Sequence, residues 1–202
     1  QPYLFPYLGY YQLVNAVDKF VFFDDVNYIN RGWINRNQIL QKEEPFLFTV
    51  PLVKASQNRL INEIEILDYA KWRSVFLKQI ESNYKRASNF SETFSWLSGF
   101  LYSKEYILIR DLTVDSIRSL AGLLKLKTKF IFSSEIDYKS DSYGDGESKI
   151  LKICEIMDAD VYINPKNGID LYNSDHFNDK KIRLNFIFFD GIVYQQFSSK
   201  KF

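Results

Sequence analysis

Pro2 and Pro6 open this chain in the stretch QPYLFPYLGYY, and they constrain it more than any other feature. A proline fixes its own φ and has no N–H to donate, so neither a helix interior nor a central strand can run from Gln1 to Pro6. The segment is predicted to be a stiff loop. Regular structure resumes at once: Leu8, Tyr11, Val14, Ala16 and Val17 recur near the helical period, with Pro6 just upstream, where a helix start tolerates it. Phe20 to Phe23 is then an apolar run that reads as a strand, closed by Asp24-Asp25. A strand expected upstream of Gln1 would complete a βαβ unit with QPYLFPYLG as its first loop. That arrangement puts the loop and Asp24-Asp25 at the carboxyl edge of one sheet, where open α/β sheets bind ligands.

The 202 residues suffice for one good core, and the expectation is a single α/β domain over 1–202. Lysine and arginine number 26 against 25 acidic residues, a formal charge of +1, so nothing in the balance draws the chain to nucleic acid and no such partner is expected. The single cysteine, Cys154, excludes an intramolecular disulfide and a cysteine-based zinc site, and it suits a reducing compartment. A cytoplasmic location is expected. Runs such as Phe186 to Phe189 and Ile107 to Ile109 fall far short of the ~20 apolar residues that span a bilayer, so membrane insertion is not expected. Aromatic residues reach 17%. Their faces suit sugars and bases, although Phe, Tyr, Ile, Asn and Lys also rise together in chains from low-GC genomes.

Beyond an Asn- and Arg-rich connection, Phe46 to Val50 and Ile61 to Ile66 read as strands, with Lys54 to Asn58 as a turn. Three helices are predicted next: Tyr69, Trp72, Phe76, Ile80 and Tyr84 share one face, then Phe90, Phe94, Leu97 and Leu101, then Ile117, Leu120, Ala121 and Leu124 from a start near Asp111 or Thr113. They interrupt the βα alternation, and residues 69–127 read as a helical insertion or cap. Alternation then resumes with a strand at Phe130 to Phe132 and a helix carrying Ile150, Ile153, Cys154 and Met157. A strand at Asp160 to Ile163 follows, then a loop at Asn164 to Gly168. Leu184 to Phe189 and Ile192 to Tyr194 read as closing strands about an Asp190-Gly191 turn. The fold class predicted is α/β: a mostly parallel sheet flanked by helices, with a central insertion of three consecutive helices.

Three neighbouring segments carry candidate chemistry. In the loop, Gly9 lets a helix start approach a ligand, and free backbone N–H groups there favour an anion; a rigid turn whose tyrosines pack on the core fits the same residues. Asp24 and Asp25 have the chemistry to hold a divalent metal or to act as acid and base, or simply to cap a turn. In a strand neighbouring side chains point apart, so at most one of the two is expected to face a site. Arg31 to Gln38, RGWINRNQ, offers guanidinium forks, a stacking indole at Trp33 and the amides Asn35 and Asn37, or else a solvated turn. Tyr143-Gly144-Asp145-Gly146 resembles a phosphate cradle, but lacks the spacing of a nucleotide fingerprint and carries repelling acids; Asp145 is expected to be a helix N-cap. His176, the only histidine, has no nucleophile elbow to serve and is expected at a surface or an interface, and Cys154 is expected to be buried.

Gln1-Pro2-Tyr3, Pro6-Tyr7-Leu8-Gly9-Tyr10, Ala16-Val17-Asp18, Asp24-Asp25-Val26, Arg31-Gly32-Trp33 and Asn35-Arg36-Asn37 closely resemble the WbqC-like protein family. Thr49-Val50-Pro51, Ser133-Ser134, the helix around Cys154, Tyr162-Ile163 and Leu171-Tyr172 also fit; Asn164-Pro165 stands where the family often has Ser-Gly. The resemblance implies a bacterial cytoplasmic protein of O-antigen (lipopolysaccharide) or other surface-polysaccharide biosynthesis, acting on a nucleotide-linked deoxyamino sugar as an N-acyl or aminoacyl transferase. The alternative it leaves is a nucleotide-sugar-binding or pathway-assembly protein without catalysis. Under the first reading, Gln1, Pro2, Tyr3, Pro6, Gly9, Tyr10, Arg36 and Asn37 bind substrate, with Tyr28 and Trp33 stacking on base or sugar. Asp25, with Asp24 and Asn35, is the catalytic candidate. No metal site is assigned, and no cofactor is named.

Overall fold

The computed structural model describes residues 1–42, 44–139 and 146–189. It is a mixture of helix and strand that divides into two compact units. Among the described residues, the first unit is formed by Gln1–Pro6 with Asp24–Leu124, and the second by Tyr7–Phe23 with residues 125–189.

The first unit contains an antiparallel hairpin of β2 (Arg36–Gln41) and β3 (Glu44–Thr49), and the helices α2 (Tyr69–Tyr84), α3 (Phe90–Tyr102) and α4 (Ile109–Leu123). Asp68 starts α2 from a left-handed backbone, its carboxylate accepting from the Lys71 amide, the usual device for satisfying an orphan helix N–H. The apolar spacing of α2 turns Trp72, Phe76 and Leu77 inward, where they join Phe48, Ile61, Ile64, Leu101 and Leu112 in one core. A buried arginine, Arg73, binds that core together: it pairs with Glu105 at 2.8 Å, reaches the Leu101 carbonyl at 3.3 Å, and lies 4.1 Å from the Tyr102 ring centroid.

The second unit pairs β1 (Lys19–Phe22) with β4 (Lys129–Phe132), and β5 (Val161–Pro165) with β6 (Arg183–Ile187), both parallel. Around them are α1 (Leu8–Asn15), α5 (Gly146–Ile156) and α6 (Ser174–Asp179). β1 and β4 are nearly the same tetrapeptide, KFVF and KFIF, paired residue for residue. Register therefore sets Phe20 opposite Phe130 and Phe22 opposite Phe132, and on the diagonal Phe22 and Phe130 lie 5.3 Å apart with rings 13° from parallel. Such same-face aromatic pairs are the unit of sheet stabilisation.

Several expectations are corrected. The described strands form three two-stranded ladders, two parallel and one antiparallel, instead of one mostly parallel sheet. Ile61 to Ile66 is not a strand: Ile61–Glu63 is a 3-10 turn, and only isolated bridges, Leu52 with Ile66 and Glu65 with Leu108, pair in its neighbourhood. The polar connection turned out to contain β2. The helix α6 was not foreseen, and β6 runs parallel to β5. The predicted Asp190-Gly191 turn, Ile192 to Tyr194, and the 143–145 part of the cradle lie outside the described residues.

Candidate functional site

The opening loop bends at Leu4 and Phe5, with Pro2, Leu4 and Pro6 buried and Gln1 exposed; Tyr3 and Phe5 are half-buried. Its backbone is held by the start of β2. The Leu4 amide donates to the Ile34 carbonyl at 3.2 Å, and the Asn37 side-chain amide donates to both the Leu4 carbonyl at 3.1 Å and the Phe5 carbonyl at 2.7 Å. Phe5 has a φ of 49°, a left-handed conformation that is unfavourable for an aromatic residue. It is held there by the Asn37 bond, by its own amide donating to the Ser116 hydroxyl at 3.4 Å, and by its ring, which packs 6.0 Å from Phe100 and 6.3 Å from Phe76.

Asn35 is fixed just as firmly. It is buried, accepts a hydrogen bond from the Tyr28 hydroxyl at 2.8 Å and donates to the Val50 carbonyl at 2.8 Å. Tyr28 is itself in the core, and burial raises its pKa. Its ring has little open face. Arg36 donates from Nε to the Gly32 carbonyl at 2.7 Å, and its guanidinium carbon lies 5.9 Å from the centroid of Trp33, an indole that is 52% exposed. Of the two ring residues expected to stack on a ligand, Trp33 is the accessible one.

β1 ends at Phe22, so Asp24 and Asp25 follow the strand instead of lying in it. The alternation that was to turn one of them away does not apply, and both are buried, Asp24 at 0% exposure and Asp25 at 7%. Their backbone lies against residues 59–62: Asn62 donates to the Asp24 carbonyl at 3.1 Å and Ile61 to the Val26 carbonyl at 3.0 Å. A buried carboxylate needs a compensating charge. For Asp24 this is Arg110, 3.5 Å away and also paired with Asp111 at 2.8 Å. Arg110 went unnoticed in the sequence; its signal was an Arg-Asp pair in the first turn of α4, directly after the apolar Tyr106-Ile107-Leu108-Ile109.

Gly9 and Tyr10 belong to the second unit, in the first turn of α1. A Cβ on Gly9 would come 2.4 Å from the Tyr7 ring and 3.1 Å from Phe189, so glycine is needed there for close ring packing. The structure thus gathers Gln1, Pro2, Tyr3, Pro6, Asp24, Asp25, Tyr28, Trp33, Asn35, Arg36 and Asn37 into one unit and assigns Gly9 and Tyr10 to the other. In that second unit, burial raises the Cys154 thiol to about 11, leaving it protonated near neutrality. His176 is exposed and pairs with Glu147, whose carboxylate also accepts from the Asn173 amide. Among the described residues no three His, Cys, Asp or Glu side chains converge as a metal-ligand set, and no helix is long and apolar enough to cross a membrane.

These features define a mixed α/β protein with a proline loop pinned to a polar hairpin strand and two buried carboxylates after its first strand. The chain belongs to the WbqC-like protein family, whose model matches residues 1–202. It is also similar to Rv1507c of Mycobacterium tuberculosis (strain ATCC 25618 / H37Rv), described as an uncharacterized protein, with 26% identity over 188 residues, covering 92% of this chain and 79% of the relative. No solved structure gives a significant match.

Proposed function

We propose that this is a cytoplasmic transferase of bacterial surface-polysaccharide biosynthesis, acting on a nucleotide-linked deoxyamino sugar and placing an acyl or aminoacyl group on the sugar amine. The observation that carries the reading is the pair of buried carboxylates in the same unit as Arg36 and Trp33. Membership of the family, with its association to O-antigen loci, supports the pathway. In the transfer, the amine nitrogen attacks an activated acyl carbonyl, the new C–N bond replaces the bond to the donor's leaving group, and the amine gives up a proton. Asp25 is the base: it keeps 7% exposure where Asp24 keeps none. Arg36 offers a donor to the developing oxyanion or to substrate phosphate. Trp33 stacks on base or sugar.

In a reconstituted assay, Asp25→Asn is expected to lower turnover by about 10²- to 10⁴-fold, the usual worth of a positioned base, and Arg36→Ala to raise KM. Full activity in both folded variants would sink the assignment. A second reading, a nucleotide-sugar-binding or assembly protein without catalysis, is favoured by one observation: the amides of Asn35 and Asn37 are bound to a neighbouring hydroxyl and to backbone carbonyls and so serve the frame. A thermal-shift screen of nucleotide-linked amino sugars followed by turnover measurement separates the two. Stabilisation by such a sugar with no product from any acyl donor selects the second reading.

A further inference from the structure

A cleft of about 260 Å³ opens within the first unit, walled by Phe5, Phe48, Phe76, Trp96, Leu97 and Leu120. Its walls come from the opening loop, the hairpin and all three helices, so it is formed by the fold itself and not by one mobile side chain. Two of the polar side chains at the wall are already satisfied. Asn37 donates to the Leu4 and Phe5 carbonyls and accepts from the Gln38 amide, and the Trp96 indole N–H donates to Ser119 at 3.1 Å. Two of the lining rings are stacked on neighbours: Phe76 on Trp72 at 5.1 Å and 9°, and Trp96 on Phe100 at 6.0 Å and 13°. A flexible aliphatic chain suits a wall made mostly of rings and branched aliphatic ends. An apolar cavity of about 150 Å³ takes a benzene-sized molecule, so on that scale this cleft has room for roughly eight to ten carbons.

We propose that the cleft binds the aliphatic chain of an acyl group, whose polar remainder emerges beside the exposed Gln38. The inference deepens the transferase reading and rests on it only for the identity of the group as acyl. Binding is tested without donor or turnover, by calorimetry with straight-chain acyl amides of about four to twelve carbons; each added methylene is expected to tighten binding up to about fourfold until the cleft is full near ten carbons. Leu120→Phe and Ile80→Phe, at half-buried lining positions, should each abolish this dependence, and melting curves establish which of the two is folded. No binding, affinity independent of chain length, or an unchanged ladder in a folded filled variant overturns the proposal. Tighter binding of a benzyl amide than of every straight chain overturns the aliphatic assignment. A ladder without transferase activity supports the cleft and counts against the transferase reading; turnover without a ladder does the reverse.

Discussion

In the unit built on β1 and β4, side chains are placed by register: two near-identical tetrapeptides pair residue for residue, and the rings of Phe20, Phe22, Phe130 and Phe132 pack against one another as a consequence. In the unit built on the hairpin and α2 to α4, much of the backbone is irregular, and side chains must do the pairing. Asn37 satisfies the loop carbonyls, Asn35 is held between Tyr28 and Val50, and the Tyr69 hydroxyl and Arg73 both reach the Leu101 carbonyl. The difference follows from backbone hydrogen bonding. A ladder satisfies its own polar groups, whereas a buried loop needs them satisfied from outside. Polar residues clustered among aromatics therefore mark a frame as well as a site, and in the first unit the same segment supplies both.

The largest expected effects test the two cores directly. Phe76→Ala and Phe22→Ala should each cost about 3–5 kcal/mol, the usual range for truncating a buried phenylalanine, measured by denaturant unfolding; Phe76 is 3% exposed and Phe22 0%. A Phe22→Ala loss no larger than that of a surface substitution would break the picture of a stacked ladder. Next, Asn37→Ala removes the donor to two loop carbonyls and should cost about 1–3 kcal/mol, with faster hydrogen exchange at Leu4, whose amide bond to Ile34 lies in the same loop. Unchanged exchange would mean that aromatic packing alone holds the loop. Tyr28→Phe keeps the ring and loses the bond to Asn35, an expected loss of about 1 kcal/mol in the melting free energy.

The smallest effect sharpens the other side of the comparison. In the second unit the Glu147 hydrogen bond raises the pKa of His176 above its ordinary value of 6.5. A raised histidine contributes stability that is complete below the unfolded value and is lost as pH rises through the folded one. His176→Gln should therefore melt below the parent at acid pH and converge with it as pH climbs past that window. A constant difference across the range would assign the loss to packing.

Legibility varied with how local each signal was. The start of α2 at Tyr69, the burial of Cys154 and the exposed surface position of His176 follow from side-chain periodicity or from the absence of partners in the sequence. β2 was read as a connection because RNQILQ has no apolar alternation; its strand state comes from pairing with β3, a partner beyond its own sequence. Ile61 to Ile66 has the apolar content of a strand, yet the backbone takes a 3-10 turn while Asn62 and Ile61 donate across to the segment after β1. The sequence located Asp24-Asp25 as a pair but implied opposite orientations. Ending β1 at Phe22 buried both, and the partner Arg110 is 86 residues away.

What the amino-acid sequence determined by itself is what short-range geometry dictates. Two prolines force a loop, the 3.6-residue period sets the helices, a lone cysteine rules out a disulfide, and the opening motif carries the family. Tertiary structure alone decided which carbonyls Asn37 would satisfy, which of Tyr28 and Trp33 would face solvent, and that five elements would leave an apolar cleft between them. Those outcomes depend on hydrogen bonds and packing between residues distant in the chain, and no local pattern encodes such contacts.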